Sequence, residues 1–341
     1  MNTLCIPAEA DSIARAAELI KEGQLVGFPT ETVYGLGANA LNARAVLDIF
    51  AAKGRPADNP LIVHIASLSE MEPLCIGNEM AAKLADAFWP GPLTMILPKR
   101  DIVPTEVTAG LDSVAIRMPS HPVARALIRE SGCPIAAPSG NRSGRPSPTL
   151  AAHMLEDMQG RIPLILDGGP CQVGVESTVV SLMGDVATVL RPGGVTPEMI
   201  AAVLGECHVA DSVMRPLKEG EAAPSPGMKH KHYAPKARMT LYEGAADAVA
   251  ARIRTEYDAL PAGEHGRILA ATANLPRYAG RDAVKLGADE WAAAHNIFAA
   301  LRQADADGVT RVFSESWPES GVGLAVMNRM ARAAGFDIVQ V

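Results

Sequence analysis

Apolar residues recur at helical spacing at Ile13, Ala16, Ala17 and Ile20, with Asp11 placed to cap the helix and Gly23 to stop it. The pattern then changes to short apolar runs of strand length. They are Gln24 to Phe28, Leu61 to Ile65, Leu93 to Leu97, Val114 to Met118, Pro134 to Ala137, Ile162 to Leu166, Thr178 to Leu182 and Ala187 to Leu190, separated by Ala-rich helical stretches and Pro/Gly turns. Such alternation predicts an α/β domain. From Met214 to Lys236 the periodicity fails, in a run that holds Pro216, Pro224, Pro226, Lys229, His230, Lys231, His232 and Pro235, and this reads as a linker. Beyond it, strand patterns at Arg238 to Tyr242, Arg267 to Ala271 and Val309 to Phe313 flank helical patterns at Ala245 to Tyr257 and Asp289 to Asp305. The expected organisation is a catalytic-size domain over residues 1–213, a linker over 214–236 and a smaller Rossmann-like α/β domain over 237–341.

Composition narrows the class. At 341 residues, 48% of them hydrophobic and 20% charged, the chain is too long for one ordinary core and too apolar for general disorder. The apolar runs, such as Leu61 to Ile65 and Pro163 to Leu166, fall far short of the roughly 18 residues a membrane span needs. The first ten residues carry Glu9 and no basic residue, unlike an export signal, so a cytoplasmic, membrane-free protein is expected. Cys5, Cys75, Cys133, Cys171 and Cys207 stand far apart, and neither a disulfide framework nor a metal site is indicated. A formal charge of −7 argues against tight nucleic-acid binding, which needs a net basic face.

The candidate chemistry lies in loops. Positions 29 to 40, PTETVYGLGANA, superficially match a dinucleotide fingerprint, but the glycines come too far after the strand, and they read instead as a tight glycine turn. Thr30, Glu31, Thr32 and Tyr34 make a polar strand-end loop suited to holding a small polar ligand. Lys53 falls on the apolar face of the next helix; Gly54 can end that helix and Pro56 extends Arg55, so two cations leave the helix end together, near Asn59 and His64. A third stretch, Pro134 to Thr149, runs from an apolar strand into a loop bearing Ser139, Gly140, Asn141, Ser143, Gly144 and Ser147, suited to phosphate. GVEST at 174–178 and LRPGG at 190–194 repeat polar groups at strand boundaries. No Ser/His/Asp set accompanies them, which favours positioning and charge neutralisation, as in nucleotidyl transfer, over attack by a side chain.

Taken together, PTETVYGLG, the K-x-R of Lys53 and Arg55 followed by NPLIVH, the S-x-N of Ser139 and Asn141, GVESTVV and LRPGG resemble the YrdC family over about residues 9 to 200. SPGMKHKHYAP at 225–235 and the distal LRQADADG and GVGLAVMNRMARAA resemble the linker and extra domain of its long form. The resemblance implies a YrdC-like twisted open sheet and synthesis of L-threonylcarbamoyl-AMP from ATP, L-threonine and bicarbonate, with Mg²⁺ accompanying ATP. The product would feed a tRNA threonylcarbamoyl transferase complex acting on adenosine 37. By motif, Thr32, His64, Arg117, the backbone at Ala137 and Ser177 would hold threonine; Arg55, Asn59, Ser113, Ser139, Ser147, Arg191 and Tyr233 would hold ATP. Lys53, Arg55, Ser139 and Asn141 would form the catalytic K-x-R and S-x-N set.

Those roles are physically coherent, since an anionic carbamate approaching a triphosphate needs cations such as Lys53, Arg55 and Arg191 nearby. Arg117 can grip a carboxylate bidentately. Two rival readings are a carbamoyl transferase using carbamoyl phosphate and a double-stranded RNA-binding module.

Overall fold

A computed structural model describes residues 2–215 and 233–341. The described residues divide into two compact units, one holding 2–143 and 147–213, the other 144–146, 214–215 and 233–341. Among the described residues no helix is long and apolar enough to cross a membrane.

The first unit runs β1 (Leu4–Pro7), α1 (Ala10–Lys21), β2 (Val26–Phe28), β3 (Gly35–Asn39), α2 (Ala43–Lys53), β4 (Ile62–His64), α3 (Glu79–Phe88), β5 (Leu93–Pro98), α4 (Thr105–Thr108), β6 (Ser113–Arg117), α5 (Pro122–Ser131), β7 (Ile135–Ala136), α6 (Ala151–Met158), β8 (Leu164–Asp167), β9 (Thr178–Ser181), β10 (Thr188–Arg191), α7 (Pro197–Leu204) and β11 (His208–Val209). The strands form one mixed sheet in the order β1-β8-β2-β3-β7-β4-β6-β5-β9-β10-β11. Alternation along the strands sends side chains to two faces. On one, Leu36, Val63, Met95, Val114 and Ile116 pack with Val46, Ile49, Leu84 and Met154 of the helices. On the other, Val26, Phe28, Leu164 and Leu166 pack with Ile13, Ala17, Ile20, Leu127 and Ile128. Ile62, Ile96, Ala115 and Val179 make a separate small apolar cluster.

Two local expectations are corrected. The first helix starts at Ala10 with Glu9 as its cap residue, and the Ser12 hydroxyl accepts from the Glu9 amide at 2.8 Å. Asp11 therefore sits inside the first turn, where its charge complements the helix dipole but does not cap. The glycines of PTETVYGLG do not make a turn either. Gly35 and Gly37 belong to β3, antiparallel to β2, and a Cβ on Gly37 would lie 2.7 Å from Phe28 Cε1 and 2.8 Å from Ile135 Cγ2. Close packing over the strand, not a left-handed backbone, demands glycine there.

The second unit contains β12 (Arg238–Glu243), α8 (Ala246–Asp258), β13 (Gly266–Ala271), β14 (Ala283–Gly287), α9 (Glu290–Ala306), β15 (Arg311–Glu315), α10 (Gly321–Ala333) and β16 (Ile338–Gln340). Its sheet is parallel throughout, in the order β14-β13-β15-β12-β16. Tyr242, Val249, Ile253, Ile268, Tyr278 and Phe313 fill the core. The periodicity missed β14, β16 and α10. Residues Val322 to Ala333 of α10 are all buried, including Asn328 and Arg329, so the helix carries no polar stripe to reveal it.

Candidate functional site

β4 and β6 run parallel, and their last residues, His64 and Arg117, are direct register partners. Thr94 of β5 stands opposite Arg117 on the other side. Because side chains alternate along a strand, Ser113, Ala115 and Arg117 share one face of β6. The strand ends thus gather polar groups at the edge of an apolar floor, the arrangement in which open α/β sheets bind ligands.

The loop between β2 and β3 brings the next groups. Thr30 Oγ1 accepts from the amides of Thr32 and Val33, each at 3.2 Å, which folds the loop back on itself. Thr32 Oγ1 then accepts from Arg117 Nη1 at 3.0 Å, and Glu31 Oε1 lies 2.7 Å from Arg117 Nη2. The two ion-pair side chains are 3% and 4% exposed. Burial by itself would raise the Glu31 pKa, but the guanidinium outweighs it and holds the carboxyl below the usual carboxylate range. His64, whose Nδ1 is 3.3 Å from Ile135 O, is neutral at physiological pH: burial, then the Arg117 charge, pull its pKa from 6.5 to about 3.

A row of hydrogen bonds continues across the sheet. Thr94 Oγ1 and Ser177 Oγ are 2.8 Å apart. Arg191 donates from Nε to Ser177 O at 3.0 Å and from Nη2 to Ser177 Oγ at 3.1 Å. Ser147 donates to the Glu176 carboxylate, and both are buried.

The loop after β7 is held from below. Lys53 Nζ donates to the carbonyls of Ser139 and Asn141, both at 2.5 Å, while Ser139 Oγ donates to Asn141 Oδ1 at 2.6 Å. Gly54, at φ 65°, ends α2 in the left-handed conformation, as the sequence predicts. Arg55 lies over the Phe50 ring at 5.2 Å and donates to Asn59 O at 3.4 Å. The Ala137 amide is taken by Ile62 O at 2.9 Å.

The structure therefore joins Thr32, Arg117 and His64 in one cluster, Ser177 and Arg191 in a second, and Lys53, Ser139 and Asn141 in a third. Ser113 begins the strand that Arg117 ends, four residues or roughly 13 Å away along the same face. Tyr233 belongs to the second unit, buried, with its ring 5.2 Å from that of Phe298 and the Arg329 guanidinium 5.7 Å away. The basic part of the expected linker, Lys229 to His232, lies outside the described residues. Sequence reasoning gave no role to Thr94, and gave Glu31 only a place in a polar loop suited to a small ligand, with no partner. The only signal for Glu31 was its place between Thr30 and Thr32, because a partner 86 positions away cannot be read from local pattern.

Two family models cover this chain. One, described as telomere recombination, matches residues 18–193, and the other, described as the C-terminal domain of threonylcarbamoyl-AMP synthase, matches residues 195–335. The threonylcarbamoyl-AMP synthase of Bacillus subtilis is 49% identical, over 96% of this chain and 94% of its own. That of Schizosaccharomyces pombe is 40% identical, over 96% and 90%. Among solved structures, Pyrococcus abyssi Sua5 complexed with L-threonine is similar at a TM-score of 0.88 and 45% identity, covering 100% of this chain and 99% of that one. With relatives this similar along nearly its whole length, and with the polar clusters gathered at the strand ends, the chain belongs to the threonylcarbamoyl-AMP synthase family.

Proposed function

We infer that this protein is a threonylcarbamoyl-AMP synthase, joining ATP, L-threonine and bicarbonate with release of pyrophosphate. The observation that carries the reading is the pair of polar clusters Thr32–Arg117 and Thr94–Ser177–Arg191, brought to neighbouring strand ends by the Thr94–Arg117 register and standing beside neutral His64. It offers an amino-acid subsite and a phosphate subsite with no nucleophilic side chain required.

In this reading Arg117 takes the threonine carboxylate, with Thr32, His64, Ser177 and the backbone at Ala137 around the rest of the amino acid. Arg55, Asn59, Ser139, Ser147 and Arg191 take the nucleotide, Ser113 lies toward its far end, and Tyr233 is assigned to the nucleotide by its family motif. The threonine amine adds to CO₂ drawn from bicarbonate and loses a proton, giving a carbamate. A carbamate oxygen attacks the α-phosphorus of ATP, the bond to the bridging oxygen breaks, and pyrophosphate leaves with its electron pair. Arg55 and Arg191 offset the repulsion between the two anions, and Lys53 holds the Ser139–Asn141 loop in the shape that receives the phosphates. Among the described residues no group of three His, Cys, Asp or Glu is arranged for a metal, so Mg²⁺ is expected to enter with ATP on phosphate oxygens and water. The product is an activated acyl-adenylate for a tRNA threonylcarbamoyl transferase complex, with the cytoplasm as the working compartment.

The test is mass spectrometry of the reaction with all three substrates and with each omitted. L-Threonylcarbamoyl-AMP should form only when all are present, and pyrophosphate release that is equal without threonine overturns the assignment.

A further inference from the structure

The Arg117–Glu31 pair goes beyond a binding guanidinium. A guanidinium carries five N–H donors. In Arg117 the Nε donor points to Gly91 O at 3.4 Å, one Nη1 donor goes to Thr32 Oγ1 at 3.0 Å, and Nη2 faces Glu31 Oε1 at 2.7 Å. Nη1 keeps one N–H beyond its bond to Thr32, and Nη2 meets Glu31 as an ion pair without an aligned hydrogen bond, so both terminal nitrogens retain donors for the two oxygens of a carboxylate. Which edge presents them depends on Glu31. Without it the guanidinium has only one long contact at Nε and one hydroxyl, and can turn in its plane.

Glu31 is itself fixed from several directions. Its carbonyl accepts from the Val173 amide at 2.7 Å, and the carbonyl of the next residue, Thr32, accepts from the Gly174 amide at 3.2 Å. The neighbours His64 and His121 are both held neutral chiefly by burial, so neither competes for the carboxylate as a cation. Glu31 thus forms a rigid strut between the loop and the arginine. It also cancels the Arg117 charge, which keeps a buried cation tolerable before substrate arrives.

We propose that Glu31 is a positioning residue of the amino-acid site: it selects the edge of Arg117 presented to the substrate carboxylate and so sets threonine affinity, without touching threonine. The proposal rests on the assignment of Arg117 to threonine made above.

The test compares wild type with Glu31→Gln and Glu31→Asp in the full-length protein, measuring L-threonine binding by calorimetry and steady-state KM values for threonine and ATP. Glu31→Gln keeps the shape but loses the charge. Its threonine Kd and KM should rise tenfold or more, while the ATP KM stays within twofold. Glu31→Asp, which keeps the carboxylate one methylene short, should fall between Gln and wild type. If Glu31→Gln does not fold, Glu31→Asp carries the same expectation, a rise in the threonine KM alone. A parallel rise in both KM values, or threonine affinity equal to or better than wild type, overturns the proposal. If wild type itself does not bind L-threonine, the amino-acid-site reading fails instead, and the two failures are thereby told apart. A wild-type complex with L-threonine gives an independent readout: the Glu31–Arg117 contact should persist, and its replacement by substrate rules the strut out.

Discussion

Two buried glutamates, Glu31 in the first unit and Glu315 in the second, sit at comparable depth and serve opposite ends. Glu315 ends β15 and accepts from the Ala271 amide at 2.9 Å, Asn274 Nδ2 at 3.0 Å and the Tyr278 hydroxyl at 2.7 Å. Its bonds all tie down the segment that leaves β13, within its own unit. Glu31 faces one guanidinium that keeps two donors for something else. A carboxylate closed by neutral donors rigidifies a fold, whereas one paired to a partly committed arginine stabilises a cation that a ligand can still engage.

Breaking the pair at Arg117 should have the largest effect. In Arg117→Ala the Glu31 charge is left buried and unpaired, which should cost about 3–5 kcal/mol of stability in urea denaturation. Threonine-dependent pyrophosphate release should also drop on the order of 10²-fold or more, as for loss of one preorganised donor. The double replacement Arg117→Met with Glu31→Leu sharpens the point: it should recover much of the stability and none of the activity.

The second-unit counterpart, Glu315→Gln, removes charge-assisted bonds and should cost about 1.5–3 kcal/mol, with the threonine KM within twofold of wild type. A shift in that KM equal to the one expected of Glu31→Gln would erase the contrast between the two carboxylates.

His64 supplies a pH test of the first unit. Its folded pKa, about 3, lies below the ordinary 6.5, so below pH 6.5 the unfolded chain takes up a proton that the folded one refuses. The sign is fixed: the stability is present above 6.5 and is lost, at about 1.4 kcal/mol per pH unit, as pH falls from there toward the folded value. Urea denaturation at pH 7.5 and 5.5 should show this slope, and His64→Gln should remove that share of it. The smallest effect belongs to Ser113→Ala, which removes one neutral hydroxyl at the far end of β6. The ATP KM should rise by the equivalent of about 0.5–1.5 kcal/mol while threonine binding is unchanged.

Local pattern alone located α1, most of the central strands, the stop of α2 at Gly54 and the loops that carry Thr32, Arg55, Ser139 and Ser177. Those features are legible because helix spacing, strand alternation and glycine caps are short-range consequences of backbone geometry. The motifs also carried the family, since several separated polar loops in a fixed order are specific even before folding. What only the tertiary structure decided is pairing. The sheet order interleaves distant strands, and through it Arg117 meets Glu31 and Thr32, Ser177 meets Arg191, and Lys53 meets the carbonyls of Ser139 and Asn141. Lys53 looks in sequence like a free cation beside Arg55, yet its ammonium supports a loop. Gly37 looks like a turn, yet it is a strand residue pressed under Phe28. A sequence states which groups are available, but who neutralises whom depends on contacts between residues far apart in the chain, and those exist only once the sheet has formed.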